Sequence, residues 1–216
     1  MLQKESNMYP LNSKYIAIEG AIGAGKTSLV LQLSERYHAR SILEIVEENP
    51  FLSRFYEDIR NYAFQTQIFF LLNRYEQQIK AAQQGLFQQL SFSDYMFAKD
   101  KIFAHLNLSG NELKMYDHLY QIVCKDIPAP DLIVYLRTTT NMLMKRIKLR
   151  NRPFERKISF LYMDRLNHAY ENFFKNIKNN YKKTKLLVIE TDNLDFIINK
   201  KDLDVICKEI YRKDHE

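Results

Sequence analysis

The chain has 216 residues, 46% of them hydrophobic and 27% charged, with a formal net charge of +6. That length suits one α/β domain spanning 1–216 rather than two, and the composition is that of a globular chain, not a disordered one. No apolar run approaches the roughly 20 residues of a membrane span. The segment Met1–Pro10 is polar and lacks the apolar core of a secretory signal. Cys124 and Cys207 lie far apart and match no metal spacing, so a reduced, cytoplasmic setting is expected. The positive charge fits an anionic partner without choosing between a nucleotide, a nucleic acid and a membrane surface.

Tyr15–Glu19 reads as a short buried strand, and Lys26–His38 as a helix opened by a glycine-rich turn. Ile42–Val46 reads as a second strand through its β-branched residues. A long helical pattern covers about Tyr62–Gln84, with Phe70, Leu71 and Ile79 set among Gln and Lys. A third strand falls within Phe87–Ser93. Gly110 precedes an amphipathic helix over Asn111–Cys124, after which Pro128 and Pro130 break the chain. Leu132–Leu136 is the clearest buried strand. Helices over Thr140–Leu149 and Ser159–Ile177 flank a basic turn, Leu186–Ile189 is another strand, and Leu203–Arg212 is a closing helix. Strands alternating with helices imply a parallel sheet of about five strands covered on both faces. Ligands of such sheets sit outside the carboxyl ends of the strands.

One segment in that position carries a specific chemistry. Gly20-Ala21-Ile22-Gly23-Ala24-Gly25-Lys26-Thr27 satisfies G-x-x-x-x-G-K-[ST] and lies between a strand and a helix, the context this phosphate-binding motif requires. Its glycines let backbone N–H groups turn inward on phosphate oxygens, and the helix N-terminus, continuing through Ser28, adds positive potential. Lys26 is expected on the β- and γ-phosphates and the Thr27 hydroxyl on Mg²⁺. ATP or GTP binding follows. Asn199-Lys200-Lys201-Asp202 fits the N-K-x-D pattern of guanine readers, but neither later glycine, Gly85 or Gly110, has an Asp three residues before it. A charged, solvated helix entry explains the tetrapeptide better.

A small-molecule kinase also needs a carboxylate to receive the acceptor's proton and cations to offset charge on the moving phosphoryl group. Arg146, Arg150 and Arg152, with Lys145, Lys148, Arg156 and Lys157, form the densest cationic stretch of the chain. Arg146 and Arg150 are four apart and share a helix face; Arg152 lies past the helix end, where a lid spanning about 150–157 could close. A solvated basic face or a nucleic-acid patch is the alternative for the same run.

With these residues together, the chain from about Tyr15 to Asp195 resembles the deoxynucleoside kinase family. Ile18–Thr27 matches I-E-G-x-I-x-A-G-K-[ST], with Ala21 where members often have Asn. Glu44-Ile45-Val46, eighteen residues after Lys26, matches the family E-P-V with Ile for Pro. The resemblance makes Glu44 the general base for the 5′-hydroxyl, and Glu47 and Glu48 are rivals within reach. Tyr56-Glu57, then Tyr62 and Gln67, keep a family spacing that places Tyr56 on the sugar 3′-hydroxyl and Gln67 on the nucleobase. Arg74, seven residues on, matches a nucleobase-reading arginine; two helical turns put it on the face of Gln67, roughly 10 Å along the axis.

Asp94-Tyr95-Met96-Phe97-Ala98-Lys99-Asp100 matches [DE]-R-S-x-x-x-D, with Tyr95 in place of the arginine, which removes a charge near phosphates and sugar. The resemblance gives Asp94 to Mg²⁺ and Asp100 to a pair with Arg74. Arg146, Arg150, Arg152 and Glu155 match the lid R-x-x-x-R-x-R-x-x-E. Arg146 and Arg150 would offset charge during transfer, Arg150 and Arg152 would hold ATP, and Glu155 would accept from the 3′-hydroxyl. Glu190–Phe196 is similar to the loop that lies against the ATP adenine. The implied protein is a P-loop kinase of three-layer α/β/α fold and a homodimer, with no nucleic-acid or membrane partner. It would use ATP and Mg²⁺ to make deoxynucleoside 5′-monophosphates. The Arg74/Asp100 pair resembles members that accept deoxyadenosine, deoxyguanosine or deoxycytidine, and a purine is expected. A thymidylate kinase is the nearest alternative enzyme, and a basic P-loop nucleic-acid-binding module the alternative of another class.

Overall fold

The computed structural model describes residues 9–179 and 181–216; of the polar segment Met1–Pro10, all but Tyr9 and Pro10 lie outside the described residues. Five parallel strands form one sheet in the order β2–β3–β1–β4–β5: β1 (Tyr15–Glu19), β2 (Arg40–Ile42), β3 (Ser91–Ser93), β4 (Leu132–Arg137) and β5 (Lys185–Glu190). β1 is central, and all five of its residues are buried, as expected of a parallel strand covered on both faces. Among the described residues eight α-helices surround the sheet: α1 (Lys26–Tyr37), α2 (Leu52–Phe55), α3 (Ile59–Gln83), α4 (Lys99–Asn107), α5 (Gly110–Val123), α6 (Thr140–Arg150), α7 (Phe160–Lys175) and α8 (Lys200–His215). α1 packs on the β1–β3–β2 side and α8 on β5, while α3, α4, α5 and α7 pack against one another. The expected α/β architecture and strand count hold.

Several boundaries differ from the sequence reading. β2 spans Arg40–Ile42 rather than Ile42–Val46, because its neighbour β3 offers only three residues for pairing. Beyond Ile42 the Glu44 N–H goes instead to the Asp94 side chain at 2.8 Å, so Glu44 lies two residues past the strand rather than within it. β3 is confined to Ser91–Ser93, since Leu86–Gln88 turns as a 3-10 helix after Gly85. α8 starts three residues early, at Lys200, because Asn199 caps it by accepting from the Lys201 N–H at 3.0 Å. The N-K-x-D tetrapeptide is therefore a helix entry. α2 and α4 were not expected at all; the spacing of Ile102, Phe103 and Leu106 is the signal that marks α4. Among the described residues no helix is long and apolar enough to cross a membrane.

Candidate active site

The strand order turns outward from β1 in both directions, so the loop after β1 sits at the point where α/β sheets bind ligands. That loop is Gly20–Gly25. Gly25 caps α1 with φ of 95°, in the left-handed region that a side chain disfavours. A Cβ at Gly25 would stand 2.8 Å from the Phe196 ring, and one at Gly20 the same distance from the Leu136 carbonyl oxygen. The loop is thus a tight backbone cradle that only glycine permits at these two places. Phe196, in the segment likened to an adenine-facing loop, packs against it. Lys26 Nζ arches back to the carbonyls of Gly20 (2.8 Å) and Ala21 (3.1 Å).

Three carboxylates converge where β1, β2 and β3 end. Glu19 is fully buried and accepts from Met96 N at 2.7 Å and Gly20 N at 3.2 Å, tying the cradle to the loop after β3. Burial pushes its carboxyl up, opposed by the nearby Lys99 and Lys26. Asp94 links two further parts of the site. One oxygen accepts the Thr27 hydroxyl at 2.5 Å, and the other accepts the Glu44 N–H at 2.8 Å. Burial raises the Asp94 carboxyl despite the Thr27 bond.

Glu44 itself joins a buried ionic cluster. Arg74 Nε donates to Glu44 Oε1 at 2.8 Å, and the same guanidinium is ion-paired with Asp100. Lys99 Nζ donates to Glu44 Oε2 at 2.6 Å. Burial alone would raise the Glu44 carboxyl, but the Arg74 and Lys99 cations hold it well below the usual carboxylate range. The rivals sit elsewhere: exposed Glu47 faces Arg152 at 3.5 Å, and exposed Glu48 faces Asn73. Gln67 and Arg74 share the buried face of α3, with Phe70 between them and its ring 4.6 Å from the Arg74 guanidinium. Gln67 Oε1 and Asp100 Oδ2 are buried without a hydrogen-bond partner. Such orphaned acceptors are costly unless a ligand donates to them.

The basic segment divides its arginines. α6 ends at Arg150, and Asn151 adopts φ of 53°, which turns the chain into the short Pro153–Glu155 helix. Arg150 Nε donates to the buried Glu155 at 3.1 Å. Tyr56, just past the end of α2, packs edge-on against Phe55 and Tyr162, and burial raises the pKa of its hydroxyl. Arg152 stays outside, on Glu47 and 5.9 Å from the Phe154 ring centre. Arg146 is placed differently from its expected position over phosphates. Its guanidinium donates to the carbonyls of Thr191 (2.7 Å), Leu194 (3.4 Å) and Ala24 (3.5 Å), bolting the 191–194 loop to the cradle.

Thr27 and Asp94 supply a hydroxyl and a carboxylate, the hard oxygen donors that fit Mg²⁺, which keeps waters and uses few protein ligands beside phosphates. Among the described residues no cluster of three or more His, Cys, Asp or Glu competes as a metal site. A separate open hollow of about 440 Å³, lined by Thr138, Thr140, Asp164 and Asn167 among others, contains none of the expected site residues. Two residues of the cluster, Glu19 and Lys99, carry no local sequence signal for a role. Glu19 stands within the I-E-G run, and Lys99 at an unspecified position of the Asp94–Asp100 motif.

Comparison with known proteins identifies the family. A deoxynucleoside kinase family model matches residues 16–214. The deoxyguanosine kinase of Bacillus subtilis (strain 168) is 38% identical over 197 residues, covering 91% of this chain and 95% of the relative. The deoxyadenosine kinase of Dictyostelium discoideum is 36% identical over 183 residues, covering 82% and 71%. The solved structure of deoxyadenosine kinase from M. mycoides with bound dATP superposes with a TM-score of 0.78 at 29% identity, covering 90% of this chain and 97% of that one. The chain belongs to the deoxynucleoside kinase family.

Proposed function

We propose that this kinase transfers the γ-phosphate of ATP to the 5′-hydroxyl of a purine deoxynucleoside, with Glu44 as general base. The observation that carries the reading is the position of Asp94. It binds Thr27 of the phosphate cradle with one oxygen and the backbone of Glu44 with the other. Phosphate grip and proton acceptor are thereby fixed to each other, which is the positioning that phosphoryl transfer needs most.

In the reaction, the 5′ O–H proton passes to Glu44 as the 5′ oxygen bonds to the γ-phosphorus. The bond from that phosphorus to the β,γ-bridging oxygen breaks, and ADP leaves. Lys26 and Arg150 offset the developing charge, and Arg146 keeps the 191–194 loop seated beside the nucleotide. Arg152, which rests on Glu47 at the outer edge of the lid, swings onto the ATP phosphates as the lid closes. Thr27 and Asp94 would hold Mg²⁺, which when bound shields phosphate charge. Tyr56 and Glu155 position the 3′-hydroxyl.

Gln67, Arg74 and Asp100 present an amide, a guanidinium and a carboxylate to the nucleobase, a set able to match adjacent donors and acceptors of a purine edge. The relatives named deoxyguanosine and deoxyadenosine kinase support the purine choice. A homodimer accompanies this reading, through the outer faces of α3 and α5 where Leu72, Met115 and Ile122 are exposed. A cytoplasmic setting fits the free thiols of Cys124 and Cys207.

The test is a panel assay with ATP and each of the four deoxynucleosides, resolving the monophosphate products. Preferential formation of dAMP or dGMP is expected. Preference for a pyrimidine removes the purine assignment, and no product from any of the four removes the kinase reading.

A further inference from the structure

Lys99 opens α4 and is only 4% exposed, a burial rare for lysine unless its charge is paired. Its one side-chain acceptor among the described residues is Glu44 Oε2, at 2.6 Å. The other oxygen of that carboxylate, Oε1, takes both bonds from Arg74. Each oxygen of Glu44 therefore has its own cation, and the two cations are not equivalent. Arg74 has a second partner in Asp100 and lies on the α3 face that carries Gln67, so it can turn to a nucleobase and release Oε1. Lys99 lies near Glu19 as well, but among the described residues its ammonium donates a hydrogen bond to Glu44 alone. Its aliphatic stem is enclosed, with the Phe103 ring centre 5.9 Å from the ammonium.

We infer that Lys99 is the positioning residue for Glu44, an inference that rests on the kinase reading with Glu44 as general base. Lys99 holds Oε2 and thereby aims Oε1 at the 5′-hydroxyl when Arg74 lets go. Without it, Glu44 would enter the reaction as an unpaired, freely rotating buried carboxylate beside Glu19 and Asp94. Lys99 also accounts for the charge missing at position 95. Tyr95 is fully buried, packs with Ile42 and Ala81, and gives its hydroxyl to Gln77 Oε1 at 3.0 Å. The cation comes instead from the residue four positions later.

The experiment is a double-mutant cycle on purified, folded protein, using the deoxynucleoside that wild type phosphorylates best. Lys99→Met is expected to lower kcat at least about 30-fold, a sizeable part of the ~10²–10⁴ that a positioned base contributes. The deoxynucleoside KM should change less than about threefold, and Lys99→Arg should recover kcat to within about tenfold. In the Glu44→Gln background, Lys99→Met should cost less than about threefold more, because residues acting through one another are not additive. Equal losses in both backgrounds, or a Lys99→Met enzyme with wild-type kcat, would overturn the inference. Should Lys99→Met fail to fold, Lys99→Gln, which keeps a hydrogen-bond donor without the charge, enters the same cycle. A wild type inactive on all four deoxynucleosides would remove the kinase reading and this inference together. An active wild type indifferent to Lys99 removes the inference alone.

Discussion

Arg74 and Glu44 are bonded to each other across thirty residues of sequence, Nε to Oε1 at 2.8 Å, while the same guanidinium holds Asp100. The proposed reader of the nucleobase thus occupies the oxygen on which the proposed general base would receive a proton. Under that proposal, engaging a nucleobase and freeing the carboxylate would be one event. On the proposed roles, recognition would be coupled to chemistry, because a ligand that fails to draw Arg74 away would leave Glu44 occupied.

Replacing the carboxylate with an amide tests the centre of the mechanism. Glu44→Gln keeps the shape of the side chain and one acceptor oxygen, but cannot take the 5′ proton. Deoxynucleoside affinity is expected to stay within a few fold, while kcat falls at least ~100-fold, the usual size of a general-base effect. Binding by calorimetry and turnover by product formation separate the two. Turnover close to wild type would transfer the role to Glu47 or Glu48.

Arg74→Ala has two expected consequences. Removing the guanidinium leaves Asp100, with a fully buried side chain, without its cation, and breaking such a pair from one side costs roughly 3–5 kcal/mol. A clear drop in Tm should follow. Among deoxynucleosides, kcat/KM should fall more for the preferred nucleobase than for the others. A uniform loss across the panel would mean that Arg74 serves Glu44 and Asp100 alone.

What the sequence made legible follows from how local each feature is. The phosphate cradle occupies eight contiguous residues, and its glycines are dictated by backbone geometry. Gln67 and Arg74 were readable as a pair because helical periodicity puts them on one face. Glu44 was found by resemblance but placed on a strand. Its N–H satisfies the Asp94 side chain rather than a neighbouring strand, and no local pattern announces that exchange. Lys99 and Glu19 were missed for the same reason. Their partners lie 55 and 77 residues away, so only the pairing of β3 between β1 and β2, with α4 following β3, reveals them. The bonds of Arg146 to carbonyl oxygens were equally hidden, because a run of basic residues says where charge is dense and not what each side chain touches.

Tyr56 and Glu155 invite a test with a modified sugar. Glu155 is buried and paired with Arg150, at the site where a 3′-hydroxyl is proposed to bind. A hydrogen bond to a charged group contributes about 1.5–3 kcal/mol. Glu155→Gln should therefore lower kcat/KM for the deoxynucleoside by roughly tenfold or more. The corresponding 2′,3′-dideoxynucleoside lacks the hydroxyl, and its already low kcat/KM should change much less. Equal sensitivity of both substrates would assign Glu155 to holding the lid through Arg150, with no contact to the sugar.

Lys26 sets a pH dependence for nucleotide binding. Burial, helped by the charge of Lys99, pulls its ammonium from 10.5 down to about 8. In the free protein the cation is thus lost as pH rises through about 8. Phosphate oxygens of bound ATP favour the protonated form, so ATP binding above pH 8 must be accompanied by proton uptake. The ATP Kd should then rise with pH, by at most about tenfold per unit between pH 8 and the normal lysine range, since a single proton is linked to binding. Terminal phosphate oxygens are already ionised there, with a pKa near about 6, and do not contribute a second slope. Folding responds with the opposite sense: the unfolded chain binds the extra proton between about 8 and 10.5, so this residue's penalty on stability is relieved as pH rises through that window. Calorimetry in two buffers of different ionisation enthalpy measures the uptake directly. Lys26→Met should abolish both the uptake and the slope while weakening ATP binding at every pH. An ATP Kd that stays flat from pH 7.5 to about 9.5 in wild type would place the Lys26 ammonium outside the phosphate grip.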